Sequence, residues 1–137
     1  MTSMGTGAHV GAHHGVHMLS SQRLLIIESE FLIALDIQRV IEDSNALQTV
    51  FARSFSEAAA LADRFGTFDL AIVNAPGPDD LPIAAELAAA GPAIIVCTAG
   101  TTDLDATPLA GAAVLMKPFS DEQLRAACSE ALAAKGR

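Results

Sequence analysis

Tryptophan and tyrosine are absent from this chain, and its six phenylalanines are the only aromatic side chains. A core built from it has to be aliphatic, drawn from Leu, Ile, Val and abundant Ala. No apolar run approaches the roughly 18 residues of a membrane span, so the sequence predicts no membrane anchor. Basic residues are few: eight Lys and Arg stand against sixteen Asp and Glu, a net charge of −8. That balance repels phosphate backbones and disfavours direct nucleic-acid binding, although ordinary solubility also accounts for it. Cysteine occurs twice, at Cys97 and Cys128, in apolar surroundings and without metal-ligand spacing. Buried, reduced thiols in a cytoplasmic protein are the expectation.

Charge is missing altogether from the first 22 residues, which contain no Asp, Glu, Lys or Arg. All four histidines (His9, His13, His14 and His17) lie there among Gly, Ala, Ser and Thr. No helical or strand periodicity runs through the segment, so residues 1–22 read as a disordered leader, tag-derived at least to residue 17 and preceding a start at Met18. A metal-binding cluster of His13, His14 and His17 is the alternative reading.

What is present beyond the leader suffices for one domain. The chain has 137 residues, of which 51% are hydrophobic and 18% charged, a composition that supports one packed core. Short apolar runs alternate with helical patterns. Leu24–Ile27, Leu47–Phe51, Asp69–Val73, Ala93–Cys97 and Ala112–Met116 read as five strands, most of them buried on both faces. Between them, residues 31–44 form a helical pattern with Leu32, Leu35, Val40 and Ile41 at core spacing. Ser54 and Glu57 offer a capping box for an Ala-rich helix that Gly66 closes. Leu81–Ala90 is a short helix with Pro82 in its first turn. Residues 99–110 carry Gly100 and Pro108, so a fourth helix is short or irregular. Ser120 and Gln123 form a second capping box, before a last helix with Leu124, Ala127, Cys128, Ala131 and Leu132 along one side. About five helices alternating with five strands predict an α/β doubly wound parallel sheet. Chemistry in such sheets gathers at the carboxyl ends of the strands. Those ends carry Glu28, Ser29 and Glu30, then Asn74, Thr98, and Lys117 with Pro118.

In order along the chain stand Arg23-Leu-Leu-Ile-Ile-Glu-Ser-Glu-Phe-Leu-Ile, Phe68-Asp-Leu-Ala-Ile-Val-Asn, Val96-Cys-Thr-Ala and Val114-Leu-Met-Lys-Pro-Phe. Together these segments resemble the receiver domain of bacterial response regulators over residues 23–135. The resemblance implies a flavodoxin-like sheet of order 2-1-3-4-5 and a cis peptide before Pro118. It also implies a site in which an aspartate accepts a phosphoryl group. An acidic pair there holds Mg²⁺, and a lysine and a hydroxyl grip the phosphoryl oxygens.

Residue by residue, the match is partial. Lys117 matches the family lysine, Thr98 the hydroxyl and Glu28 the first acid. Ser29 stands where the second acid and principal metal ligand is expected. Asn74 stands where the accepting aspartate is expected, and an amide is no nucleophile. Val114 stands where an aromatic switch residue is usual. The losses leave room only for weak Mg²⁺ binding, and no other cofactor or metal is implied. The resemblance therefore implies an atypical receiver of two-component signal transduction. It would be a non-enzymatic, phosphorylation-independent interaction module. The implied partner is a histidine kinase, a phosphotransferase or another regulator, met through the face of the last helix and last strand. A homodimer is also compatible. The alternatives are a phosphoryl acceptor at Ser29, Asp79 or Asp80, or a small-ligand sensor on the same fold.

Overall fold

The computed structural model describes residues 18–100 and 103–135. Five parallel strands form one sheet: β1 (Arg23–Ile27), β2 (Gln48–Ala52), β3 (Leu70–Asn74), β4 (Ala93–Thr98) and β5 (Ala113–Met116). Their spatial order is β2-β1-β3-β4-β5, and every neighbouring pair is parallel. Each strand lies within a residue or two of its sequence-predicted position. The reason lies in the pleat, which sends successive side chains to opposite faces. Leu24, Ile26, Leu70, Ile72, Ile95 and Cys97 point to one face and pack with Ile37, Val40, Ile41, Leu124 and Cys128. Leu25, Ile27, Ala71, Val73 and Val96 point to the other and pack with Phe55, Ala58, Phe65, Ala84 and Leu87. Both faces being covered, the strands must be continuously apolar rather than alternating.

Among the described residues, four α-helices accompany the sheet: α1 (Phe31–Asp43), α2 (Phe55–Ala58), α3 (Leu81–Ala90) and α4 (Asp121–Lys135). Helix α2 is one turn long and tightens into 3₁₀ geometry over Ala59–Thr67. Phe55, Ala58 and Leu61 are spaced by three, and in a 3₁₀ helix residues three apart eclipse on one side. Ser54 caps α2 by accepting the Glu57 N–H at 3.0 Å, while the Glu57 carboxylate accepts the N–H of Arg53 at 2.9 Å. At α4 the reciprocal capping box is complete: Ser120 Oγ accepts from Gln123 N at 3.0 Å, and Gln123 Oε1 accepts from Ser120 N at 2.8 Å. Helix α3 ends at Gly91, whose φ of 102° is the left-handed conformation that glycine tolerates.

Three sequence expectations are corrected. Met18–Gln22, expected within a leader, belongs to the fold. Leu19 is fully buried, its N–H donates to Ser44 O at 2.9 Å, and its own carbonyl accepts from Gln22 N. The histidines at 9, 13, 14 and 17 lie outside the described residues. Where a short or irregular fourth helix is expected, residues 105–111 form only turns and a bend, with Leu104 and Leu109 in the core. Finally, Leu32 and Leu35 do not face the core of α1 but are 74% and 44% exposed. Ile33, Ile37, Val40 and Ile41 take the sheet side instead, and their i, i+4, i+7, i+8 spacing is the better stripe. No helix among the described residues is long and apolar enough to cross a membrane.

Candidate functional site

The carboxyl ends of β1, β3, β4 and β5 converge as the parallel order requires, and Lys117 is the hub. Its ammonium lies 3.1 Å from Asn74 Oδ1 and 3.1 Å from Glu30 Oε2. It straddles the Glu28 carboxylate, hydrogen-bonding Oε2 at 3.4 Å and lying 3.1 Å from Oε1. The shorter of those two distances is off the hydrogen-bond axis, and Oε1 has no hydrogen-bond partner. Electrostatic attraction therefore holds that side of the carboxylate. Oε2 also accepts the Glu30 N–H at 2.9 Å, which turns the chain from β1 into α1.

Burial sharpens these contacts. The Glu28 side chain is 1% exposed and that of Lys117 12%, whereas Glu30 is 62% exposed. Burial alone would lower the Lys117 pKa, but the hydrogen bonds and charges of Glu28 and Glu30 outweigh it and hold the ammonium above its ordinary value. Beneath the site, burial and the Glu28 charge push the Cys97 thiol up to about 12, against a smaller opposing pull from Lys117. Burial does the same to Cys128, also to about 12. Both thiols are free and buried.

The remaining candidate residues divide. Thr98 is buried, and its hydroxyl donates to Gly100 O at 3.0 Å and accepts from Gly100 N at 3.3 Å. Its carbonyl accepts the Lys117 N–H at 2.8 Å, so β4 and β5 stay paired up to the site. Ser29 is exposed and lines a separate groove between α1 and β2. Val114 is on β5 and 49% exposed, on the face opposite buried Leu115. The Lys117–Pro118 peptide is cis. Glu30, which the sequence placed near the site without a role, completes the ring around Lys117. An acid two residues after Glu28 at a strand end was the available signal.

The residues present do not suit Mg²⁺. An ammonium already lies against the oxygens of Glu28, Glu30 and Asn74 that a cation would need, and Ser29 supplies no charge. No group of three His, Cys, Asp or Glu side chains among the described residues is arranged to hold a metal ion. Two carboxylates and one ammonium leave the cluster with a net negative charge, which is unfavourable to an incoming phosphoryl group.

Solved structures share this fold. A response regulator receiver protein from Sinorhizobium medicae superposes with a TM-score of 0.71 at 19% identity, over 85% of this chain and 98% of that one. The fold is that of response-regulator receivers. A receiver domain protein from Clostridium thermocellum matches at 26% identity and a TM-score of 0.67, over 84% of this chain and 97% of its own. A CheY-like receiver domain from Methanospirillum hungatei gives 21% identity and 0.69, over 85% and 98%. No family model and no curated protein matches the sequence.

Proposed function

We propose that this receiver-type chain serves two-component signal transduction in the cytoplasm by binding alone, neither accepting a phosphoryl group nor catalysing a reaction. One observation carries the reading. An ammonium has three N–H donors, and Glu28, Glu30 and Asn74 surround that of Lys117 within 3.4 Å. No donor remains to grip a phosphoryl oxygen unless an existing partner is given up. Asn74, at the position that should attack phosphorus, presents a neutral amide whose oxygen is already an acceptor. The partners on this reading are a histidine kinase, a phosphotransferase or another regulator.

The test is an amide NMR titration with Mg²⁺ followed by beryllofluoride, a phosphoryl mimic. The unaltered protein should show no saturable shifts at Glu28, Asn74, Thr98 or Lys117. Asn74→Asp alone should stay unresponsive, because Ser29 still withholds the second acid, while Ser29→Asp with Asn74→Asp should respond. Tight binding of both ions by the unaltered protein, with shifts reaching β5 and α4, would overturn the proposal.

A further inference from the structure

The sheet has two edges, β2 and β5. In a parallel ladder the N–H and C=O of one residue point to the same side, and successive residues point to opposite sides. The Ala52 carbonyl accepts the Glu28 N–H at 3.1 Å, and the Gln48 N–H donates to Gln22 O at 3.4 Å. Gln48, Val50 and Ala52 therefore face β1. Thr49 and Phe51 turn their N–H and C=O groups outward, and none of the described residues bonds to them there.

An open edge is a template for further strand pairing, and proteins blunt it with charge, proline, a bulge or brevity. Strand β2 has none of these. Residues 48–52 include no charge and no proline, and five residues is an ordinary strand length. They pair with β1 one for one, without a bulge. Only Ala52 of the five is buried, and Phe51 is 37% exposed on the α1 side of the sheet, level with Ile26. The other edge is better guarded. Strand β5 has four residues, and two residues beyond Met116 stands Pro118, which has no N–H to offer.

The outward groups match those of a second β2. Run antiparallel about a two-fold axis at Val50, two copies set Thr49 of each opposite Phe51 of the other. An antiparallel hydrogen-bonded pair exchanges both its N–H···O bonds, so the two pairs use every outward group of these residues. Val50 meets Val50 in the closer, non-hydrogen-bonded position between them. On the α1 side a β-branched residue then faces an aromatic one, a favourable cross-strand pair, and the two Phe51 rings come within reach across the diagonal. Gln48 meets Ala52 and Arg53 meets Leu47, so no charge opposes its like. Neighbouring registers lose bonds. One centred on Thr49 sets Phe51 against Leu47, whose N–H is already given to Gln22 O at 2.9 Å. One centred on Phe51 sets Thr49 against Arg53, whose N–H is given to Glu57 Oε1 at 2.9 Å. A two-fold contact also closes after two copies, whereas β2 laid against β5 would propagate.

We propose that two copies of this chain pair through β2, antiparallel about Val50, into one continuous sheet with five strands from each copy. The pairing does not rest on the binding-only reading.

The experiment uses the full chain, ¹⁵N-labelled. Sedimentation equilibrium up to about 1 mM protein should show a monomer–dimer equilibrium. Over the same range the amides of Thr49 and Phe51 should gain protection from hydrogen exchange. Those of Val114 and Met116 should not, although they point outward from β5, as the bond from Lys117 N to Thr98 O requires. Thr49→Pro removes an outward N–H that the monomer does not use, and should weaken association at least about tenfold with the fold kept by circular dichroism. Phe51→Lys, which sets two ammonium groups across the diagonal, should do the same. Added salt should strengthen the dimer, since each copy has a net charge of −8 and no ion pair joins the edges. A monomer throughout the range overturns the proposal. So do protection at Val114 and Met116 in place of Thr49 and Phe51, a dimer that salt dissociates, or a dimer left unchanged by both variants. None of these outcomes depends on beryllofluoride, so failure here and failure at the Lys117 site are told apart.

Discussion

Replacing Lys117 by methionine keeps much of the side-chain volume and removes the charge. The Glu28 carboxylate, 1% exposed, then loses its cation and retains only the Glu30 backbone N–H. Breaking a buried ion pair by deleting one partner costs about 3–5 kcal/mol, because the other charge is left uncompensated. The lysine keeps 12% exposure and so some access to water, which places the cost near about 3 kcal/mol. For a domain of this size that is a fall in Tm of roughly 10–15 °C. With no Trp or Tyr to report, helical circular dichroism in a urea series is the assay. Glu28→Gln should be milder, at about 1 kcal/mol, because Lys117 keeps Glu30 and Asn74. The double variant should cost less than the sum of the two, with a coupling of about 1–2 kcal/mol. Lys117 has a raised folded-state pKa. The stability it adds is therefore full below the unfolded lysine pKa of about 10.4 and is lost as pH rises through the folded value. The unaltered protein should lose this increment above about pH 10.4, and Lys117→Met should have none to lose. The two buried thiols, also raised, add an alkaline loss to both proteins, and that of Cys97 grows slightly in Lys117→Met because the opposing pull of Lys117 is gone. The difference between the two curves therefore reports the lysine together with that small change at Cys97. A Lys117→Met protein within about 0.5 kcal/mol of the original, or strictly additive costs, would refute the reasoning.

Three further outcomes follow from the packing. Leu19→Ala should cost about 2–5 kcal/mol in denaturant unfolding, since Leu19 is fully buried and its loss leaves a cavity beside α1. Ser120→Ala should cost about 1 kcal/mol, because Gln123 N loses the hydroxyl that accepts it at the start of α4. Cys97 and Cys128, buried and with thiols pushed up to about 12, should resist a thiol reagent at pH 8 in the native protein. Both should react on unfolding, and rapid native reaction of either would contradict the packing described.

The sheet is legible in the sequence because burial on both faces demands continuous apolar runs, which little else in the chain imitates. Helix starts follow from caps, Ser54 before α2 and Ser120 with Gln123 before α4, whereas Gly66, read as a stop, lies inside the 3₁₀ segment Ala59–Thr67. The orientation of α1 is less legible, since two apolar stripes coexist on it. Leu32 and Leu35 compete with Ile33 and Ile37 for the core, and only the full i, i+4, i+7, i+8 spacing with Val40 and Ile41 ranks them. Leu19 is hidden by its neighbours, a single buried side chain at the edge of a stretch without charge. At the site, the family resemblance selects Glu28, Asn74, Thr98 and Lys117. It gives no part to Glu30, because an exposed acid at the head of a helix is ordinary. Only the distance to Lys117 sets it apart.

Lys117 also bears on what kind of protein this is. A receiver that switches needs two arrangements of its strand ends close enough in energy for a phosphoryl group to choose between them. Here one ammonium ties together the ends of β1, β3 and β5, and withdrawing it from Glu28 costs about 3 kcal/mol by the reasoning above. On the binding-only reading, that alone holds an alternative arrangement below roughly 1% of the population. The presence of Lys117 is thus no sign of phosphoryl chemistry, because a buried Glu28 requires a cation whether or not the site reacts. On the binding-only reading, a fixed set of strand ends leaves binding to be governed by surface complementarity and concentration.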